Sequence, residues 1–223
     1  ANYSFSFSNY YNPEKVNFGA LRVLNDDTID AGMGFGTHPH NNMEIITIPL
    51  QGSLKHRDSM GNKWIPIETG EVQVMSAGSG VQHSEMNNSL TDPINLFQIW
   101  IIPNKLQVEP RYDQKKFEAS ERKNKLQVLV SSIDEITNGS LKIHQDAQIS
   151  RLNLAANTSY DYTLKSPNHG VYVMQVYGVS KINTTELNSR DAVGISEVKG
   201  FKIKATEESQ LLFIEVPVTF NES

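Results

Sequence analysis

The sequence predicts an all-β protein of sandwich or barrel type, built in two successive halves. Three observations carry this. Short runs rich in β-branched and aromatic residues, bounded by Gly, Pro, Asn or Ser, recur roughly every ten residues, the spacing of sandwich and barrel strands. A highly charged, poorly periodic stretch, EPRYDQKKFEASERKN over residues 109–124, divides these runs into two groups. The composition, 38% hydrophobic and 20% charged in 223 residues, is that of an ordinary folded chain long enough to bury a real core.

In the first half the strand-like runs are NMEIITIPL (42–50), GSLKHRD (52–58), GEVQVMS (70–76) and LFQIWIIP (96–103). DSMGNK (58–63) carries the residues of a hairpin turn. The charged stretch reads as a solvated linker with room for one helical turn. Strand-like runs then resume with LQVLVSS, LKIH, ISRLNL, YDYTL, GVYVMQVYG, FKIKA and QLLFIEVPV. The strongest helix signal is SSIDEITNG (131–139): Ser132 can cap it, Glu135 stands at capping-box spacing and Gly139 can end it. The expected division is 1–116 for an N-terminal metal-binding half, 117–125 for the connector and 126–223 for a metal-free C-terminal half.

The bulk numbers exclude several function classes. A net charge of −5 is a poor basis for direct contact with nucleic acid, which wants a basic face. With no cysteine there is no disulfide framework, no thiolate ligand and no cysteine nucleophile. ANYSFSFSNYYNPEK has no basic segment followed by an apolar one, and no apolar run approaches bilayer length, so the expected location is cytoplasmic, away from membranes. GMGFG has the wrong glycine spacing for a dinucleotide loop, and the HRD at His56 stands without the other parts of a kinase.

Two short pairs carry the chemistry. His38 and His40 are separated by one residue in THPHNNMEI, and His83 and Glu85 by one in GSGVQHSEM. Residues i and i+2 of a strand project from the same face. If the two strands are neighbours, four ligand groups converge. Three imidazoles and a carboxylate suit Fe(II), Mn(II), Co(II), Ni(II), Cu(II) or Zn(II), and on a six-coordinate ion they leave two positions open for Lewis-acid work or dioxygen. Gly32, Gly34 and Gly36 precede the first pair, and Gly78 and Gly80 the second, where bends or bulges can re-aim side chains. The second half holds only His144 and His169, which are not paired, and His144 reads as structural.

The stretch GFGTHPHNNMEIITIPLQGSLKHRDSMGNKWIPIETGEVQVMSAGSGVQHSEMN, with NFGALRVLNDD, LFQIWIIP and PRYDQKKF around it, resembles the signature of the pirin family within the cupins. The likeness is greatest to the bacterial pirins described as quercetin 2,3-dioxygenases. It runs from about Phe5 to Phe117 and continues more loosely through GSLKIHQDAQISR and LLFIEVP. The resemblance implies a bicupin: two antiparallel jelly-roll β-barrels, with a few short helices and a metal in the first barrel only. It implies His38, His40, His83 and Glu85 as ligands, in agreement with the pairs. Many cupins take their carboxylate four residues after the second histidine, where Glu44 stands with the parity expected of an inward side chain; in pirins the matching carboxylate is Glu85, which leaves Glu44 behind the ligands.

The implied activity is metal-dependent cleavage of a flavonol such as quercetin by dioxygen, with release of carbon monoxide. Fe(II) is the first expectation for the metal, ahead of Ni, Mn, Co, Cu or Zn. Glu85 would accept the substrate's hydroxyl proton, and Ile46, Ile48, Phe97 and Trp100 are candidates for an apolar pocket. The same resemblance implies an alternative, a redox-responsive metal-binding regulator acting through a protein partner without turnover. A monomer is the default expectation.

Overall fold

The computed structural model describes residues 1–135, 137 and 139–220. The first half contributes β1 (Asn2–Tyr3), β2 (Leu21–Ile29), β3 (Gly34–His40), β4 (Glu44–Gln51) and β5 (Ser53–Asp58). It continues with β6 (Ile65–Glu68), β7 (Glu71–Ser76), β8 (Val81–Asn87), β9 (Ile94–Ile101) and β10 (Arg111–Lys116). The second half begins with β11 (Gln127–Ser132), β12 (Leu141–Ile143), β13 (Gln148–Leu154), β14 (Ser159–Thr163) and β15 (His169–Tyr177). It ends with β16 (Ser180–Ile182), β17 (Thr185–Leu187), β18 (Ala192–Ile195), β19 (Gly200–Ala205) and β20 (Ser209–Pro217).

The strands form two six-stranded sheets, β1-β2-β9-β4-β7-β10 and β12-β11-β13-β20-β15-β18, and two four-stranded sheets, β3-β8-β5-β6 and β14-β19-β16-β17. The same winding occurs twice: β2-β9-β4-β7 over β3-β8-β5-β6 corresponds to β13-β20-β15-β18 over β14-β19-β16-β17. This is the bicupin jelly-roll arrangement the resemblance implies. Each half is a sandwich of two facing sheets; among the described residues no ladder closes either into a barrel.

The two six-stranded sheets meet in the middle, where Leu24, Ile46, Ile48, Phe97 and Ile99 pack against Val130, Met174, Leu212 and Ile214 in one shared core. A separate core, with Leu152, Val171, Ile203 and Phe213, fills the second half. Smaller groups around Leu54 and Ile94 and around Ile45 and Met75 line the first. Phe18 fastens the halves together. Its ring lies against Gly170 and Gly194, where an added Cβ would come within 2.8 Å of ring atoms.

Two local expectations change. The charged stretch is only partly linker: Arg111–Lys116 is edge strand β10, paired in register with β7, and only Ala119–Arg122 makes the helical turn, of 3-10 type. An edge strand with one wet face tolerates the charges that made the stretch look unstructured. The expected helix over 131–139 is not formed where the chain is described. Ser131 and Ser132 end β11 in parallel pairing with β12, and Ser132 Oγ accepts from the Asp134 N–H across a turn. Residues 136 and 138 lie outside the described residues. The apolar run LQVLV extends β11 into the cap position, so the sheet ladder wins over the capping signal.

The second half has a buried charged network. Glu215, fully buried, accepts from Tyr162 Oη (2.7 Å), the Lys165 N–H (2.7 Å) and His169 Nδ1 (2.9 Å), while His169 Nε2 reaches Asp146 Oδ2 (3.2 Å). Burial disfavours a charged His169, but the Glu215 hydrogen bond and the charges of Asp146 and Glu215 outweigh it and raise its pKa. A histidine whose pKa is higher folded than unfolded stabilises most fully below its unfolded value, about 6.5. Stability is therefore expected to fall as pH rises through the raised folded value. Urea unfolding at stepped pH checks this: the alkaline loss should be smaller in His169→Gln, and an identical profile in both proteins would refute it.

Candidate metal centre

Three neighbouring strands build one polar face. His38 on β3 pairs in register with His83 on β8, and His83 pairs with Asp58 on β5; one step along, Glu85 pairs with His56. His38 and His40, His83 and Glu85, and His56 and Asp58 thus all point inward by strand parity. A register shift between Phe35 and His38 brings the first pair into line. Gly34 lets β3 approach β8, since a Cβ there would meet Glu85 O at 2.2 Å. The glycines before the first pair thus coincide with a bulge and a close backbone approach.

The tautomers follow from the partners. His38 Nδ1 lies 2.8 Å from Gly36 O, which only accepts, so Nδ1 carries the proton and Nε2 a lone pair. His56 Nε2 lies 3.0 Å from Asp58 Oδ2, so it donates there and leaves Nδ1 as an acceptor. His83 Nδ1, 3.4 Å from His56 Nδ1, must then donate, which leaves His83 Nε2 as a lone pair. His83 Nε2 and His38 Nε2 face each other at 3.0 Å. Buried His40 Nε2 has no hydrogen-bond partner among the described residues. Two lone pairs facing each other beside an unpartnered imidazole nitrogen are unfavourable unless a cation lies among them, and the three ligand atoms all lie within 4.8 Å of one another. Two ligands each about 2.1 Å from an ion and at right angles would be about 3.0 Å apart, so the donor set fits a divalent metal.

The electrostatics keep His83, His40 and His56 neutral. Burial, with the neighbouring His38, His56 and His40 adding to it, holds His83 down to about 2. Burial and then His38 hold His40 down to about 4. Burial also lowers His56 against the opposing pull of Asp58.

Glu85 stands beside His83 and His56, and its carboxylate accepts from Gln98 Nε2 through both oxygens, at 2.9 and 2.8 Å. Thr47 Oγ1 is at 3.4 Å. Burial raises Glu85 to about 7, against the Gln98 and Thr47 hydrogen bonds and with the charge of Asp27. Its carboxylate groups with His83 and His56 rather than with His38, His40 and His83 together.

Glu44 lies elsewhere. Its carboxylate accepts from Ser76 Oγ at 2.7 Å and from the His144 N–H of the second half. Burial raises it to about 7 against these bonds and Arg111. On β4 the side chains facing the metal centre are Ile45 and Thr47, whereas Ile46 and Ile48 face the shared core and Glu44 faces the second half. The inward parity expected of Glu44 therefore belongs to its neighbours. Ile46, Ile48 and Phe97, expected near a pocket, also pack in that shared core.

His56 and Asp58 are the participants that sequence reading passes over. Their signal is the same i, i+2 pairing, in KHRD, on a strand whose side chains alternate between half-buried and buried. The corresponding strands of the second half, β14 and β19, carry aromatic groups instead, and Tyr162 stacks on Phe201 and Phe213 with ring centres 5.2 and 5.0 Å away.

The centre opens into a cavity of about 600 Å³. Phe7, Phe35 and Trp100 supply flat apolar wall. The Trp100 ring lies edge-on to His40 (4.8 Å, 85°) and to Phe7 (5.3 Å, 80°). A volume in this range accepts a drug-sized molecule.

The Pirin family model matches residues 1–101, and a model described as the quercetinase C-terminal cupin domain matches residues 129–216. The chain is 42% identical over 215 residues to a quercetin 2,3-dioxygenase of Escherichia coli strain K12, covering 96% of this chain and 90% of the relative. It is 38% identical to a pirin-like protein of Caulobacter vibrioides, covering 96% and 91%. Among solved structures it superposes on the bacterial pirin YhhW of E. coli in complex with nickel(II), with a TM-score of 0.89, 38% identity and coverage of 96% and 90%. No helix among the described residues is long and apolar enough to cross a membrane.

Proposed function

The chain belongs to the pirin family, and from that premise we propose that it is a metal-dependent oxygenase that opens flavonols of the quercetin type. In this reaction one flavonol and one dioxygen give one depside and one carbon monoxide. The observation that supports this reading best is the convergence of three imidazoles, beside the Glu85 carboxylate, at a cavity with aromatic walls.

His38, His40, His83 and Glu85 would hold the metal. When bound, a divalent ion supplies Lewis acidity to a substrate oxygen. The protein's own groups do the rest. Asp58 fixes the His56 tautomer, and His56 fixes that of His83, so His83 Nε2 keeps its lone pair without a proton to lose. Glu85, whose carboxylate lines the cavity, is placed to accept the flavonol 3-hydroxyl proton. Gln98 holds the carboxylate in place during that transfer. Phe7, Phe35 and Trp100 offer faces against which a flat ring system can lie. Fe(II) is the proposed ion, consistent with nitrogen and carboxylate donors that leave open positions; nickel(II) is the ion in the E. coli relative.

Protein purified without chelators is expected to carry a divalent metal and to bleach the quercetin absorbance only in the presence of oxygen, with release of carbon monoxide. Equal bleaching under anaerobic and aerobic conditions, or none in either by metal-loaded protein, would overturn the proposal.

A further inference from the structure

One wall of the cavity carries two polar side chains with nothing to bond. Asn25 and Asp27 share a face of β2, since they are separated by a single residue, and both line the cavity. They are only 3% and 6% exposed. Among the described residues, neither side chain makes a hydrogen bond or an ion pair, and Asn25 Oδ1 is a fully buried atom without a partner. The contrast with Asp26, on the other face, is sharp: it accepts from Asn95 Nδ2 at 2.7 Å and pairs with Arg190 at 3.4 Å. The neighbouring polar groups are already engaged, because Gln98, the cross-strand partner of Asn25, is bonded to Glu85.

Buried polar groups are almost always hydrogen-bonded, and a buried carboxylate without a donor is costly. Burial pushes Asp27 up to about 6, with Asp26 adding to the shift. A strand wall that keeps an unpaired amide and an unpaired carboxyl beside flat aromatic faces suits a ligand that brings its own donors. It would be an aromatic molecule bearing hydroxyl groups on the part turned away from the imidazoles.

We propose that Asn25 and Asp27 form a hydroxyl-recognition subsite, in which Asp27 accepts a hydrogen bond from a phenolic hydroxyl of the substrate and the Asn25 amide bonds the same region. The inference rests on the flavonol reading and deepens it: the subsite would select polyhydroxylated rings over bare ones.

The test is equilibrium binding under anaerobic conditions, by quenching of protein fluorescence, using metal-loaded wild type, Asp27→Leu and Asn25→Leu. The probes are quercetin and 3-hydroxyflavone, which keeps the 3-hydroxyl and ketone but lacks the other hydroxyls. Wild type is expected to prefer quercetin by about 10-fold, the scale of a hydrogen bond to a charged acceptor. Asp27→Leu should lose most of that preference while binding 3-hydroxyflavone as well as before. Melting temperature of the ligand-free proteins is the second readout. Replacing an unpartnered carboxyl by an apolar group of similar size should leave the temperature unchanged or higher, and a clear fall would show a structural role and overturn the inference. Binding of both probes with an unchanged preference in Asp27→Leu would overturn the subsite alone. Failure of wild type to bind either flavonol would overturn the flavonol reading and the subsite with it.

Discussion

His83→Ala is expected to lose bound metal and oxygen-dependent quercetin turnover together, each by more than about 100-fold. The size follows from position. His83 is 2% exposed, and both ring nitrogens are engaged, one toward His38 and one toward His56. Removing it takes away a proposed ligand and also breaks the line from Asp58 that sets the tautomer. Losing a partner one step behind a metal ligand typically costs about 10–100-fold in affinity or activity. His56→Ala should therefore fall short of His83→Ala and yet be far from neutral. Metal content by elemental analysis and the aerobic quercetin assay measure both effects, with circular dichroism to check that the sheets remain. Near-stoichiometric metal with undiminished turnover in His83→Ala would remove it from the centre.

The second large effect lies in the other half. Glu215→Leu is expected to cost about 3–5 kcal/mol, the usual range when one member of a buried charged pair is deleted. Three donors, from Tyr162, Lys165 and His169, lose their common acceptor at a position with no exposure. Against a typical total stability of about 5–15 kcal/mol, such a loss is a large fraction of what holds a domain folded. Glu215→Gln keeps the shape and one acceptor oxygen, so it should cost less. Urea unfolding measures both variants, and a loss below about 1 kcal/mol for the leucine variant would mean that solvent or a rearranged Asp146 replaces the carboxylate. The network also explains why a half whose corresponding strands carry no histidine pair still holds a buried histidine: His169 ties β15 to β20.

The amino-acid sequence by itself determined what depends on one strand at a time. The runs from NMEIITIPL to QLLFIEVPV become strands, because branched and aromatic residues between turn formers suit no other local structure. His38 with His40 and His83 with Glu85 share faces because side-chain direction alternates along any extended chain. The resemblance added the winding that makes those strands neighbours.

Tertiary structure alone decided relations across strands. His56 and Asp58 obey the same spacing rule, but only the pairing of β5 with β8 shows that their face is that of His83 and Glu85. Glu44 sits on β4, whose residues from Glu44 to Pro49 are buried on both sides, so no alternation of hydropathy marks which side is which. Parity orders residues within such a strand and is silent about which sheet lies on either side. That is why Thr47 rather than Glu44 reaches Glu85, and why Ile46, Ile48 and Phe97 fill the seam between the halves while Trp100 faces the cavity.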